Sequence, residues 1–280
     1  MSDGSVVECG WLAGHLSDPD LRVVDATWYL PTERKAARTE YRNAHIPGAV
    51  FFDIDAIADT ASRLPHMLPA PAHFAAAVSA LGIGSEDRVV VYDAHGLYSA
   101  PRVWWTLRAM GHERVAVLAG GLPQWRAEGR PVVAGEEVPT PRRFVARFRP
   151  ELVRDRAQVL SALQRGNAQI VDARSPGRFA AAEPEPRPGV RGGHIPGARN
   201  LPYTALIDPG RGRLHPPARL RQAFADAGVR PEAPATLLCG SGITACILAL
   251  ALDQLGSRQW SVYDGSWAEW GARAELPVAR

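Results

Sequence analysis

Cysteine, methionine and lysine are scarce in this sequence, which has three cysteines, three methionines and one lysine among 280 residues. Three scattered cysteines are too few for a disulfide framework or a cysteine zinc cluster. The apolar stretch 237–252 is too short for a membrane span, and it carries glycine and hydroxyl residues near its start. The first residues lack the basic and apolar regions of a secretory signal. We therefore expect a cytoplasmic protein, with no membrane partner, whose thiols stay reduced.

The charge of the chain is nearly balanced. With 46% hydrophobic and 22% charged residues, the composition is that of an ordinary soluble globular protein. The net charge of +3 is small, and no basic block or basic helical face stands out. Nucleic acid is therefore not an expected partner.

An internal duplication organises the chain. Four blocks recur in the same order at offsets of 145–149 residues: 23–26 with 170–173, 45–49 with 194–198, 88–93 with 235–239, and 120–125 with 265–270. The length suits two domains of about 140 residues each. We predict an N-terminal domain over 1–133, a linker over 134–150 that is rich in Pro, Glu and Arg, and a C-terminal domain over 151–280.

Each half of the chain alternates short β-branched runs with helical patterns. The runs include 88–92 and 235–238, and helical patterns follow at 102–110 and 244–255. This alternation predicts an α/β fold with two tandem domains, each a mostly parallel sheet covered by helices on both faces. Ligands of such sheets bind beyond the carboxyl ends of the strands.

Cys239 follows a predicted buried strand and precedes a predicted helix. The connecting loop consists of Gly240, Ser241, Gly242, Ile243 and Thr244. Two glycines let the backbone turn its N–H groups inward, and the helix N-terminus adds a partial positive charge, so an anion is stabilised there. Such a loop favours a thiolate nucleophile at Cys239.

We make different predictions for the other two cysteines and for the matching loop of the first repeat. Cys9 and Cys246 are expected to be small buried hydrophobic residues. Asp93 occupies the position of Cys239 in the first repeat, so that loop has no thiol, and we predict that the N-terminal domain is inert. A phosphatase loop needs arginine six residues after its cysteine, where this chain has Ala245.

The duplicated pattern resembles the two-domain rhodanese family of sulfurtransferases over essentially the whole chain. The loop 239–244 is similar to the 3-mercaptopyruvate sulfurtransferase branch, which has Cys-Gly-Ser/Thr-Gly, whereas the thiosulfate branch has arginine and lysine after the cysteine. Further blocks that resemble the mercaptopyruvate branch are 27–31, 51–55, 96–102 and 182–187.

The resemblance implies a reaction in which Cys239 takes sulfur from a donor, becomes a persulfide and passes the sulfur to an acceptor. It implies 3-mercaptopyruvate as donor, cyanide or a thiol such as thioredoxin or a small thiol as acceptor, and neither a metal nor an organic cofactor. Thiosulfate as donor, and a relay module that loads a partner protein, remain alternatives. The resemblance also assigns the donor carboxylate to Arg178 and Arg187, and the planar guanidinium suits that task.

By the same resemblance, Ser241 and His45 form a proton relay with an acidic residue. The alternative is that His45 only fixes a turn, because His194 occurs in the same five-residue block of the second repeat. The family's aspartate upstream of the histidine is not found here, since Glu40 is the only acid between positions 34 and 44. The third member of the relay is therefore left unassigned.

Overall fold

Strands and helices alternate along this computed structural model, which describes residues 4–166 and 169–280. By its contacts the chain divides into two units. The N-terminal unit contains the described part of Met1–Thr60 with Leu68–Arg149 and Pro209–Arg213, and the C-terminal unit contains Ala61–Met67, the described part of Pro150–Asp208, and Leu214–Arg280.

The N-terminal unit is built on a five-stranded parallel sheet. Its strands are β1 (Val6–Val7), β2 (Leu21–Asp25), β3 (Ala49–Phe51), β4 (Arg88–Tyr92) and β5 (Val115–Leu118). Its helices are α1 (Cys9–His15), α2 (Ala37–Asn43), α3 (Ile54–Ile57), α4 (Pro71–Ala80), α5 (Ala100–Ala109) and α6 (Gly121–Ala127). The strand order is β1-β5-β4-β2-β3, and every pairing is parallel.

The C-terminal unit repeats this plan. Its strands are β6 (Val153–Arg154), β7 (Gln169–Asp172), β8 (Arg199–Asn200), β11 (Ala235–Leu238) and β12 (Trp260–Tyr263), and a two-stranded sheet is formed by β9 (Ile207–Asp208) and β10 (Arg213–Leu214). Its helices are α7 (Arg156–Arg165), α8 (Pro176–Phe179), α9 (Pro217–Asp226), α10 (Ala245–Gln254) and α11 (Ser266–Trp270). The parallel sheet has the order β6-β12-β11-β7-β8.

The two sheets have the same order once their strands are matched by the duplication, and the predicted α/β fold class is thereby confirmed. In each unit the central strand is the one that precedes the loop of interest. β4 runs into Asp93, and β11 runs into Cys239. Both strands are buried along nearly their whole length, which explains their uninterrupted apolar sequence.

The contact-based units differ from the sequence-based domains in two short segments. Ala61–Met67 belongs to the C-terminal unit and Pro209–Arg213 to the N-terminal unit, so each half of the sequence contributes a segment to the other unit. Of the predicted linker 134–150, residues 134–149 contain neither helix nor strand and are grouped with the N-terminal unit, and Pro150 belongs to the C-terminal unit. A hydrophobic pattern cannot detect such exchanges, because they depend on long-range contacts.

Tryptophans form much of both cores. Five tryptophans are fully buried: Trp104, Trp105, Trp125, Trp267 and Trp270. Two of them also anchor the chain through matching bonds, since the indole N–H of Trp125 donates to the Pro131 carbonyl and that of Trp270 to the Pro277 carbonyl. Within the described part of the chain, no helix has the length and apolar character needed to cross a membrane.

Candidate active site

Cys239 lies at the carboxyl end of the central strand of its unit, as predicted. β11 ends at Leu238 and α10 begins at Ala245, so the six loop residues connect strand to helix directly. The Cys239 side chain is buried, and the Gly242 N–H donates to its Sγ at 3.2 Å. Gly242 has a φ of 80°, a conformation that glycine adopts without strain. A backbone N–H aimed at the sulfur stabilises negative charge there.

The backbone of Cys239 is fixed by α11. The Cys239 N–H donates to Ser266 Oγ at 3.2 Å, and this hydroxyl donates to the Tyr263 carbonyl at 2.9 Å. The Trp267 N–H donates to the Cys239 carbonyl at 3.0 Å. Ser266 has a left-handed φ of 50°, which is costly for a residue with a side chain. The hydrogen bond that its hydroxyl accepts from the Cys239 N–H offsets the cost of that conformation.

Arg178 lies beside the cysteine loop. A Cβ built on Gly240 would be 3.0 Å from Arg178 Nη2 and 3.6 Å from Nη1, so a side chain at this position would have to displace the guanidinium. The loop and the predicted donor-binding arginine are thus brought together. Arg187 is half-buried in the same segment, nine residues further along, and its contact with a donor remains a prediction.

A chain of alternating charges leads from the end of β7 to Arg178. Asp172 accepts from Arg174 through both carboxylate oxygens, at 2.6 Å for the shortest contact. Arg174 Nη1 donates to Glu185 Oε1 at 2.6 Å, and Arg178 Nη2 donates to Glu185 Oε2 at 2.6 Å. Asp172 and Arg174 are fully buried, and the Glu185 side chain is 4% exposed. Two carboxylates and two guanidinium groups balance, which lets these charges remain buried.

Arg174 also contacts the element that supports Cys239. Its guanidinium carbon lies 4.3 Å from the centre of the Trp267 ring, and its Nη2 donates to the Gly193 carbonyl at 2.7 Å. Burial acts to lower the pKa of Arg174, but the charges of Asp172 and Glu185 outweigh it and raise that pKa above its ordinary value. Arg174 therefore stays charged and holds this network together.

The corresponding loop of the N-terminal unit is already filled by a carboxylate. Asp93 Oδ2 accepts from the N–H groups of Tyr98, Ser99 and Ala100 at 2.8–2.9 Å, and Oδ1 accepts from the His95 N–H at 2.9 Å. The repeat thus demonstrates that a loop of this shape, at the N-terminus of a helix, holds an anion. It holds the chain's own side chain here, which supports the prediction that this domain is inert.

The other two cysteines are buried in packed surroundings, as expected. Cys9 belongs to the core of the N-terminal unit, and burial raises the pKa of its thiol to about 11. Cys246 is fully buried in α10, and its thiol donates to the Gly242 carbonyl at 3.2 Å. The pKa of Cys9 excludes a thiolate at neutral pH there.

His45 and His194 have matching surroundings in the two units. His45 Nδ1 lies 2.8 Å from the Tyr41 carbonyl with its ring stacked on Tyr41, and His194 Nδ1 lies 2.9 Å from the Phe179 carbonyl with its ring stacked on Phe179. Both backbones form isolated antiparallel bridges, to Val133 and Ala279 respectively. This repetition favours the alternative in which His45 has a structural role over the relay role that the resemblance implies.

Sequence reasoning missed a histidine that belongs to the unit of Cys239. His66 lies in Ala61–Met67, is buried and has a left-handed φ of 60°. An offset of 146 residues matches it to Gly212, whose φ is 57°. In the N-terminal unit Gly212 packs on the loop after Asp93, where a Cβ on Gly96 would be 2.8 Å from the Gly212 carbonyl oxygen. The duplicate of Gly96 at the same offset is Gly242. By analogy with the N-terminal unit, we expect His66 to pack on the cysteine loop as Gly212 packs on the loop after Asp93.

Comparisons with known proteins agree on one family. The family model described as rhodanese-like domain matches residues 8–128 and 155–273. The chain is 45% identical to the 3-mercaptopyruvate sulfurtransferase of Escherichia coli K12, over 99% of both chains, and 43% identical to the thiosulfate sulfurtransferase of Cricetulus griseus, over 95% of this chain and 91% of that one. The crystal structure of SseA from Escherichia coli, a 3-mercaptopyruvate sulfotransferase with the rhodanese fold, superposes with a TM-score of 0.87 at 42% identity, covering 94% of this chain and 99% of that one.

Proposed function

Because the chain belongs to the rhodanese-like domain family, we propose that it is a sulfurtransferase that moves sulfur from 3-mercaptopyruvate through a persulfide on Cys239 to a thiol or to cyanide. The observation that carries this proposal is the meeting of two groups at one loop. A buried thiol that accepts a backbone N–H lies on the same loop that contacts the Arg178 guanidinium. A donor with both a sulfur and a carboxylate requires these two groups together.

The chemistry follows from the thiolate. The Cys239 thiolate attacks the donor sulfur, an S–S bond forms, and the C–S bond of 3-mercaptopyruvate breaks. The electron pair of that bond passes to carbon and gives the enolate of pyruvate, which takes up the proton released from the donor thiol. In the second half-reaction the acceptor thiolate or cyanide attacks the outer sulfur, and the Cys239 thiolate leaves. The N–H of Gly242 donates to the cysteine sulfur and so stabilises the thiolate that attacks in the first half-reaction and leaves in the second.

The carboxylate of the donor needs positive charge that the loop lacks. Gly240, Ser241, Gly242, Ile243 and Thr244 are uncharged. Arg178 supplies a guanidinium beside Gly240, with Nη1 and Nη2 nearest the loop. Guanidinium binds a carboxylate through two parallel hydrogen bonds. Arg187 is assigned the same partner.

The choice of donor has a direct test. We expect kcat/KM with 3-mercaptopyruvate to exceed that with thiosulfate by about tenfold or more, since one hydrogen bond to a charged group contributes about 1.5–3 kcal/mol. Steady-state kinetics with cyanide as acceptor measure both values. Faster turnover with thiosulfate would instead support the thiosulfate reaction, which the similarity to the Cricetulus griseus enzyme favours. Sulfur delivery to a thiol protein that is much faster than delivery to cyanide would support a relay module.

His66 is the histidine that we assign to protonation of the pyruvate enolate. Its segment belongs to the unit of Cys239, and the duplication matches it to Gly212, which packs on the corresponding loop of the N-terminal unit. Its side chain is buried, so water does not compete for the proton it handles. Ser241 lies in the same loop and is also buried. In this assignment His45 keeps a structural role, through its ring stacking on Tyr41 and its backbone bridge to Val133.

Asparagine substitutions distinguish the histidines. We expect His66→Asn to lower kcat by about 10²-fold, the lower range for loss of a general acid. His45→Asn places an amide where Nδ1 meets the Tyr41 carbonyl, so kcat is expected to stay within about threefold of the unsubstituted enzyme. His194→Asn is the matched control for the stacked environment. A kcat loss in His45→Asn that His194→Asn lacks would return the relay to His45.

A further inference from the structure

We propose that Glu185 is a positioning residue for the donor-binding arginine. It binds Arg178 and Arg174 at the same time, so it links the guanidinium beside the cysteine loop to the buried frame of the C-terminal unit. The inference rests on the proposed function, because it assumes that Arg178 receives the donor carboxylate.

The contacts divide the guanidinium of Arg178 into two edges. The edge formed by Nε and Nη2 faces Glu185, with Nε 3.3 Å from Oε1 and Nη2 2.6 Å from Oε2. The terminal nitrogens Nη2 and Nη1 face Gly240, since they would lie 3.0 and 3.6 Å from a Cβ built on that residue. Arginine carries five N–H donors in a fixed plane, so holding one edge sets the direction of the other. Glu185 therefore aims the remaining donors at the loop.

Glu185 is itself held on the opposite side. Its Oε1 accepts from Arg174 Nη1 at 2.6 Å, and its side chain is 4% exposed, whereas that of Arg178 is 23% exposed. Arg174 is fixed by Asp172 and by stacking on Trp267. The more exposed arginine thus depends on the buried carboxylate for its orientation.

The network formed by Asp172, Arg174, Glu185 and Arg178 also contacts the cysteine loop through Trp267. Trp267, which stacks on Arg174, donates its backbone N–H to the Cys239 carbonyl. Arg178, at the far end of the network, reaches Gly240, the residue after Cys239. Arg174 is therefore connected both to Cys239, through Trp267, and to Arg178, through Glu185. Among the described contacts, Glu185 is the single carboxylate that joins Arg174 to Arg178. Loss of this link leaves the thiol in place and frees the arginine.

The test compares two neighbouring glutamates. Glu185→Gln removes the charge that joins the arginines, and Glu183→Gln is the matched control, because Glu183 accepts from Ser175 Oγ at 2.7 Å within the same segment. We expect Glu185→Gln to raise the KM for 3-mercaptopyruvate about tenfold, as for supporting residues that orient a binding group, with kcat within about threefold. Glu183→Gln is expected to change neither. Transfer from the preformed persulfide to cyanide is expected to stay unchanged in both variants.

A double substitution separates positioning from general damage. If Glu185 acts through Arg178, Glu185→Gln adds less than about twofold to the loss in kcat/KM already caused by Arg178→Ala. Losses that multiply would overturn the inference, as would a KM in Glu185→Gln equal to that of Glu183→Gln. Glu185→Asp keeps a negative charge beside Arg174 and replaces the glutamine variant in this test if that variant unfolds. The same increase in KM is expected. Poor turnover of 3-mercaptopyruvate by the unsubstituted enzyme would refute the proposed function instead.

Discussion

Replacing Cys239 by alanine is expected to abolish sulfur transfer, with kcat lowered by roughly 10³-fold or more, as for other enzymes that lose their nucleophile. The thiol is both the attacking group and the carrier of the sulfur, and nothing else in its loop contains sulfur. Formation of thiocyanate from 3-mercaptopyruvate and cyanide measures the loss. Mass spectrometry of enzyme treated with the donor alone is expected to find one added sulfur on the peptide that contains Cys239.

Cys9→Ala is the matched control for that experiment. Cys9 is also buried and unpaired, but it lies in the core of the N-terminal unit, and burial raises the pKa of its thiol to about 11. It is therefore protonated at neutral pH, and its loss is expected to leave kcat unchanged. Sulfur found on Cys9 or Cys246 of the Cys239→Ala variant, with transfer retained, would contradict the assignment.

The same type of loop holds a carboxylate in one repeat and a thiol in the other. Asp93 receives four backbone N–H groups through its own carboxylate, so its loop is electrostatically satisfied without a ligand. Cys239 occupies the matching position with a side chain that gains negative charge only when it ionises or carries sulfur. The N-terminal loop thus directs four backbone N–H groups at an acidic side chain in the position that Cys239 occupies in the C-terminal unit.

The fold and the position of Cys239 in a loop between strand and helix were predictable because their signals are local. Short apolar runs mark the buried strands, and the glycines after Cys239 mark a tight loop before a helix. The duplication added a second copy of each signal, and the same strand order in both units confirms it. Arg178 was found through a resemblance, and its place beside Gly240 agrees with that expectation.

The residues that support Cys239 and Arg178 could not be predicted from the sequence, because a local pattern does not show which side chains they contact. Ser266 holds the N–H of a residue 27 positions away, and Arg174 is marked only by its burial, which no pattern of arginine reveals. Glu185 lies in the block 182–187, in which the resemblance assigns a role only to Arg187. A signal did exist for two positions, since the duplication aligns Ser266 with Gly121 and His66 with Gly212. A side chain in place of a glycine, at the same left-handed φ, marks a position that has gained a task.

Removing the guanidinium of Arg178 is expected to have the next largest effect. Arg178→Ala takes away the charged donors beside the loop, and loss of a paired hydrogen bond to a carboxylate lowers kcat/KM for 3-mercaptopyruvate by about 10²-fold. Arg187→Ala is expected to change the same parameter in the same direction. The effect is carried mainly by KM, because the sulfur chemistry depends on Cys239.

The half-reactions distinguish binding from structure in this variant. Transfer from a preformed persulfide to cyanide involves no carboxylate, so its rate is expected to stay within about twofold of the unsubstituted enzyme. Arg273→Ala is the control in the same unit, because Arg273 pairs only with partly exposed carboxylates among the described contacts, and such surface pairs contribute little. Equal losses in both half-reactions of Arg178→Ala would mean that the arginine maintains the loop rather than binds the donor.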